Sequence, residues 1–309
     1  MAGLPRLPYR VATMHIPRSS VQPAPGRPKA AEDPPGGWHR YPGAGCPHPA
    51  PVGTQLRDWR QRRRWSQLDL ALEAGVSARH LSFMETGRAL PSREMLLRLS
   101  ERLEVPLRER NGLLVAAGYA PLYAERPLHD PSMATTRHAV ERLLAGHEPY
   151  PALAVDRHWQ LLMANQAAQG LLAGLDAALV QPPVNVLRAA LHPQGLAPRI
   201  LNLPDFRAHL LARLHQQVQA SRDATLQALL DELRAYPCPA AAAHAPPAED
   251  LGGVAVALQL RTPAGVLSFI STTTVFGSAV DVTVAELTLE TFFPADAATQ
   301  RALHGAAPP

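Results

Sequence analysis

A chain of 309 residues and 33.3 kDa has room for about two domains, and 46% hydrophobic residues supply a core. No stretch approaches the ~18–20 consecutive apolar residues of a membrane span, and Cys46 and Cys238 make neither a disulfide framework nor a zinc module, so a membrane protein and a disulfide-stapled secreted domain are excluded and a cytoplasmic location is expected. Charge divides unevenly: residues 1–52 and 53–126 each carry a balance of +4, and residues 127–309 carry −4, which points to a nucleic-acid partner for the front of the chain only.

Residues 1–52 hold twelve of the 32 prolines and six glycines, a composition that cannot bury enough surface to offset ordering, so a disordered tail is expected there. From Thr54 the texture changes. Leu56, Trp59 and Arg63 recur at helical spacing behind a Thr54 cap and predict a first helix. Ser66 caps a second helix, Gln67 to Ala74, with Asp69 at the reciprocal position of a capping box and Gly75 as its left-handed stop. Ser77 caps a third, running to about Thr86 and closed by Gly87. Ser92 caps a fourth, with Met95, Leu96, Leu99 and Leu103 on one face. A fifth runs from Leu107 to Ala117 and stops at Gly118.

The second and third helices carry the chemistry. Ala71 is small where two helices cross, Gly75 supplies the turn, Val76 plugs it, and Leu81 buries the third helix against the second. That leaves Ala78, Arg79, Ser82 and Phe83 facing out, a surface able to enter a major groove by its N-terminal end. A five-helix protein-interaction module remains a second reading of the same pattern.

Further along, Leu153–Asp156 and Trp159–Ala164 flank a short polar turn and predict a hairpin. Gly253–Arg261 alternates, turns at 262–265 and returns as Val266–Val275, and Val282–Phe293 adds a fifth strand, although Leu287 breaks its alternation and leaves a helical reading open. Helical patterns fall at Asn165–Leu172, Val186–Leu191 and Phe206–Arg234, with a loose loop at Pro237–Glu249. Leu153, Val155, Leu162, Val256, Leu258, Phe269 and Phe293 are expected to face inward from a half-barrel sheet. Asn165, at the start of a helix, reads first as a cap.

The run Leu56-Arg57-x-Trp59-Arg60-x-x-Arg63-x-x-Ser66-Gln67-x-x-Leu70-Ala71-x-x-Ala74-Gly75-Val76-Ser77, continued by Leu81-Ser82-x-x-Glu85-x-Gly87-Arg88-x-x-Pro91-Ser92, resembles the lambda-repressor-like, XRE-type DNA-binding domain. Arg110-Asn111-x-Leu113-Leu114-x-Ala116-Ala117-Gly118-Tyr119-Ala120-Pro121 is similar to the MmyB-like subgroup, which joins such a domain to a PAS-like ligand-binding domain. Trp159-Gln160-x-Leu162-x-x-Asn165, Asn185-x-Leu187-Arg188-x-x-Leu191-His192-Pro193-x-Gly195-Leu196 and Thr262-Pro263-x-Gly265-Val266-Leu267-x-Phe269 extend the resemblance.

The resemblance implies a fold of five helices followed by an α+β PAS-like domain with a five-stranded antiparallel sheet. The expected division is a tail at 1–52, a helix-turn-helix domain at 53–126, a ligand-binding domain at 127–304 and a short tail at 305–309. Gln67 would anchor a phosphate and brace the reading helix. Ser77, Ala78, Arg79, His80, Ser82 and Phe83 would line the base-reading surface, Arg79 able to hold guanine O6 and N7 together. Arg63, Arg88 and Arg93 would meet phosphates. Ala78 and Phe83 stand where related domains often carry amides, so their readout would be apolar.

In the second domain Trp159, Asn165, Leu187 and Phe269 would meet a small apolar, fatty-acid-like ligand between the sheet and the Asn185–Leu196 segment. Double-stranded DNA, that ligand and a second copy of the chain are the expected partners, with no membrane, metal or cofactor. The competing reading gives the second domain to dimerisation or protein interaction alone. An enzyme is disfavoured because GxSxG, HExxH, the P-loop and the dinucleotide glycine fingerprint do not occur.

Overall fold

The computed structural model describes residues 50–238, 256–263 and 265–305. The expected tail before residue 50, most of the 237–249 loop and the last four residues lie outside them.

Five helices come first: α1 (Val52–Arg62), α2 (Gln67–Ala74), α3 (Ala78–Glu85), α4 (Arg93–Arg102) and α5 (Leu107–Ala116). Ser66 accepts from the Asp69 N–H while Asp69 accepts from the Ser66 N–H, the full capping box. Gly75, at φ +67, closes α2 in the left-handed conformation that a residue with a Cβ rarely adopts. Ser77 and Ser92 cap α3 and α4. Thr54 is not the cap of α1. That helix starts at Val52 behind Pro51, and Val52 and Gly53 are buried, so the expected tail boundary falls one residue into the helix. Gly53 packs so tightly on α3 that a Cβ there would sit 2.3 Å from the Met84 carbonyl oxygen.

Leu56, Leu70, Leu81, Leu96, Leu99, Leu103 and Leu113 form one core with essentially no exposure. One ion pair crosses its edge. Arg60 of α1 donates Nε to Glu85 Oε1 at 2.6 Å and Nη2 to Oε2 at 2.9 Å. Gln67 Nε2 adds a bond to Oε2 at 2.8 Å, and Arg60 Nη1 also reaches the Trp65 carbonyl. The bond to Glu85 holds the Arg60 guanidinium above its ordinary pKa against the opposing effect of burial.

The second region runs α6 (Ala134–Ala145), β1 (Ala152–Val155), β2 (Leu161–Ala164), α7 (Gln166–Leu172), α8 (Ala177–Val180), α9 (Val186–Leu191), α10 (Leu203–Ser221), α11 (Ala224–Ala235), β3 (Leu258–Thr262), β4 (Gly265–Val275), α12 (Val282–Glu286), β5 (Thr288–Pro294) and α13 (Ala297–Gly305). The strands form one antiparallel sheet in the order β2-β1-β5-β4-β3. Val282–Glu286 is a helix capped by Asp281 rather than the start of the fifth strand, which begins only after Leu287. The expected helix over 206–234 is two helices. Arg222 takes φ +55, and Asp223 accepts from Thr225 and Leu226 to cap the next.

Both faces of the sheet are covered, because side chains alternate along each strand. Val155, Leu258 and Phe269 face a core built with α9, α10 and α11. Ala152, Ala154 and Leu289 face Val140 and Leu144 of α6 on the other side. Two of the expected inward residues are therefore misplaced. Leu162 is 38% and Phe293 43% exposed; on β5 it is Phe292 that points to the first core, while Phe293 meets the His147 ring edge-on at 4.8 Å. Val256 lies outside the strands and is half-buried.

Because Arg60 is 8% exposed and Glu85 6%, removing one partner leaves the other charge buried without a match. Glu85→Ala is expected to destabilise the full chain by about 3–5 kcal/mol, read as a shift in a urea unfolding midpoint. A loss well under 1 kcal/mol would show that the pair does not organise this core.

Candidate nucleic-acid interface and ligand cavity

The outer face of α3 follows from what its inner face buries. Leu81, Met84 and Glu85 point inward, so the 3.6-residue period turns Arg79 and Phe83 outward with Ser82 at the flank, whereas Ala78, three residues before Leu81, is half-buried against the five-helix core rather than facing out as expected. Arg79 and His80 are exposed, Ser82 and Phe83 half-buried. Two guanidiniums lie near the Phe83 ring, the central carbon of Arg79 at 5.4 Å and that of Arg88 at 5.9 Å from its centre. Ser77 accepts from the His80 N–H and so fixes the N-terminal turn. Arg93 is exposed on the first turn of α4.

Two further residues bond within the front region. Gln67 braces α3 through Glu85, as described above. Arg63 is turned to the end of α4, where Nε and Nη2 donate to the carbonyls of Leu103 and Glu104 at 2.9 Å, and it lines a cleft beside α10. The carbonyls that end a helix need such a donor, and the sequence pattern around Arg63 carries no signal of it.

In the second region a cavity of about 100 Å³ lies between the sheet and α7, α9 and α10. Leu153, Leu171, Val186, Leu210 and Phe292 supply apolar walls, and Trp159 and Leu187 belong to the lining as expected. Asn165 and Phe269 do not. Asn165 Oδ1 accepts from the Ala152 and Ala168 N–H groups at 3.0 Å, and its Nδ2 donates to the Tyr150 carbonyl at 2.7 Å, so its amide ties α7 to β1. Phe269 is wholly buried in the neighbouring core, edge-on to Phe292 at 6.3 Å. Sequence reasoning missed Arg213 and Glu290, a facing pair in the cavity wall; they lie far apart in the chain, and only the packing of α10 on the sheet brings them together.

Trp159 enters the cavity because of the turn that precedes it. Asp156 Oδ1 accepts from the His158 and Gln160 N–H groups at 2.8 Å, and Trp159 takes φ +64. Its indole N–H donates to Gln217 Oε1 at 2.8 Å. The same turn points Arg157 and His158 the other way. His158 Nε2 lies 2.9 Å from Asp223 Oδ2, and Arg157 bonds Asp223 and reaches Glu286 Oε1 at 3.4 Å. Burial alone would raise the Asp223 carboxyl, but hydrogen bonds from His158 and Arg157 outweigh it and hold the group well below the usual range.

Glu286 is shared. Arg108 of α5 grips it with two bonds, Nε–Oε1 at 2.8 Å and Nη2–Oε2 at 2.9 Å, and also holds Glu125 at 2.5 Å. The Val282 N–H donates to the Ala124 carbonyl and Arg126 pairs with Asp281 beside it. A continuous polar chain thus joins the cavity turn to the last helix of the front region. Among the described residues no cluster has the composition of a metal site, and no helix is long and apolar enough to cross a membrane.

Residues 136–305 match the family model described as the MmyB-like transcription regulator ligand binding domain, and residues 56–110 match a helix-turn-helix model. Uncharacterized HTH-type transcriptional regulators of Mycobacterium bovis and Mycobacterium tuberculosis are 36% identical over 132 residues, 43% of this chain and 48% of theirs. The match thus spans about half the length of those curated relatives. Among solved structures, the clp gene regulator ClgR of Corynebacterium glutamicum is 25% identical over 32% of this chain and 90% of its own, with a TM-score of 0.20. A SinR–SinI protein complex is 22% identical over 32% of this chain and 84% of its own, with a TM-score of 0.19. The chain belongs to the MmyB-like transcription regulators, in which a helix-turn-helix region stands ahead of an MmyB-like ligand-binding domain.

Proposed function

We propose that the chain binds double-stranded DNA through α3 and the start of α4, and that a small apolar molecule in the cavity changes how the front region is held. Ser77, Arg79, His80, Ser82 and Phe83 would form the base-reading face, with Arg79 on a guanine and Phe83 offering an apolar contact. Arg88, Arg93 and Gln67 would meet phosphates. Arg63 is left out of this reading, because Nε and Nη2 bond the carbonyls that end α4 and turn the side chain toward that end.

The observation that carries the ligand half is the turn at 156–160. Trp159 lines the cavity, while Arg157, two residues earlier, reaches the Glu286 carboxylate that Arg108 of α5 grips. The far wall leans on the same turn, through Asn185 Nδ2 to the His158 carbonyl at 2.9 Å and the Val186 N–H to the Trp159 carbonyl at 3.0 Å. An occupant that displaces Trp159 therefore strains contacts that position α5.

A second reading is favoured by volume. About 100 Å³ is below the ~300–1,000 Å³ of ordinary small-molecule sites, so a long acyl chain fits only if α7 and α9 part from the sheet. In that second reading the domain is a filled core serving dimerisation.

Arg79→Ala is expected to cost about 1–3 kcal/mol on a preferred sequence and to relax one or two base positions, whereas Arg93→Ala weakens all sequences alike. Affinity should fall with salt at a slope of about −0.9 per neutralised phosphate. Fluorescence anisotropy on fragments selected from genomic DNA measures all three, and an Arg79→Ala chain with unaltered affinity and preference would remove α3 as the reading helix. Native mass spectrometry of protein from its host, followed by thermal shift with apolar compounds, tests the cavity. A ligand at 100 times its Kd should add ~2.7 kcal/mol of stability, and an unliganded, unshifted but dimeric protein would favour the filled-core reading. Glu286→Gln should leave both binding events in place and abolish the effect of each on the other; undiminished coupling in that variant would rule out the polar chain as its route.

A further inference from the structure

The charge pair in the cavity wall bears on the kind of head group an occupant carries. Arg213 and Glu290 are the two charged residues among those that line the cavity. Arg213, from α10, meets Glu290 of β5 with Nη2–Oε1 at 2.5 Å and Nη1–Oε2 at 3.1 Å, the parallel two-bond geometry in which a guanidinium is matched by a carboxylate. Glu290 also accepts from Thr273 Oγ1 at 3.2 Å. The glutamate side chain is 6% exposed and the arginine 24%, and the guanidinium carbon lies 4.6 Å from the centre of the Trp159 ring. The wall is thus electrically neutral, with the cation already held by a buried anion on one side and an aromatic face on the other.

An anionic ligand would place a second negative charge beside Glu290 among aliphatic walls. Arg213 would then have to serve two carboxylates with one positive charge, leaving a net negative charge among apolar walls beside the buried Glu290, an arrangement strongly disfavoured in such surroundings. An uncharged molecule meets no such conflict, and the Ser271 hydroxyl in the lining offers it a polar contact. We propose that the cavity selects uncharged apolar molecules ending in a hydroxyl, ester or carbonyl group over carboxylates of the same chain length. This rests on the reading of the cavity as a ligand site.

The test uses the full chain and the matched pairs hexan-1-ol with hexanoate and decan-1-ol with decanoate, followed by calorimetry and thermal shift. The alcohol of each pair should bind at least about tenfold tighter than the acid, the scale set by one unmatched charge. Glu290→Gln, which keeps the shape and frees Arg213, should move the alcohol-to-acid ratio at least about tenfold toward the acid. The comparison on the unaltered chain stands whether or not the variant folds. Acids that bind the unaltered chain as tightly as the alcohols would overturn the head-group proposal while leaving the cavity a ligand site. Binding of neither class would overturn the ligand reading itself, and this proposal with it.

Discussion

The front of the molecule is organised around one buried carboxylate. Glu85 sits at the end of α3 with 6% exposure, where an unmatched negative charge is not tolerated. Its match must come from side chains on other helices, and Arg60 of α1 and Gln67 of α2 provide it. A guanidinium fork accepts a carboxylate in few orientations, so satisfying Glu85 also sets how α1 and α2 lie against α3. Such a pair adds little stability over a well-packed apolar substitute. Its contribution is geometric: with Leu81, Met84 and Glu85 fixed inward, Arg79 and its neighbours have one place left to point.

The back of the molecule is organised around a five-residue turn. Asp156 folds the chain over its own amides, and Trp159 adopts a backbone conformation that non-glycine residues seldom use. The gain is directional. One short segment sends an indole into an apolar cavity and a guanidinium toward Glu286, so the cavity wall and the junction with α5 share one turn. The connection is made of contiguous hydrogen bonds and ion pairs.

The two faces of the sheet are packed differently. On β5, Glu290 and Phe292 share a face with Arg213 and the helices α9 and α10, while Leu289 and Phe293 share the opposite face with α6. The α6 side closes with small Ala152 and Ala154 against Val140 and Leu144. The other side mixes short helices, a large indole and a charge pair, which close less completely and leave space.

Local order was legible in the sequence wherever it depends on neighbours within one turn. Ser66 with Asp69, Gly75, Ser77, Ser92 and Gly118 announce helix ends, because capping bonds and left-handed glycines act over two to four residues. Asn165 was readable as a cap for the same reason, and the alternating runs announced the hairpins. Some segments misled because local pattern was ambiguous: Val282–Glu286 alternates like a strand yet closes as a helical turn behind Asp281, and α10 and α11 read as one helix until Arg222 and Asp223 break it. Phe293 reads as inward in the sequence yet lies on the opposite face, because a one-residue shift on a strand reverses every side chain. The partners of Glu85, Glu286 and Glu290 were decided by the tertiary structure alone. Each carboxylate is matched by arginines drawn from distant segments, and no local spacing records which two charges a fold will bury side by side.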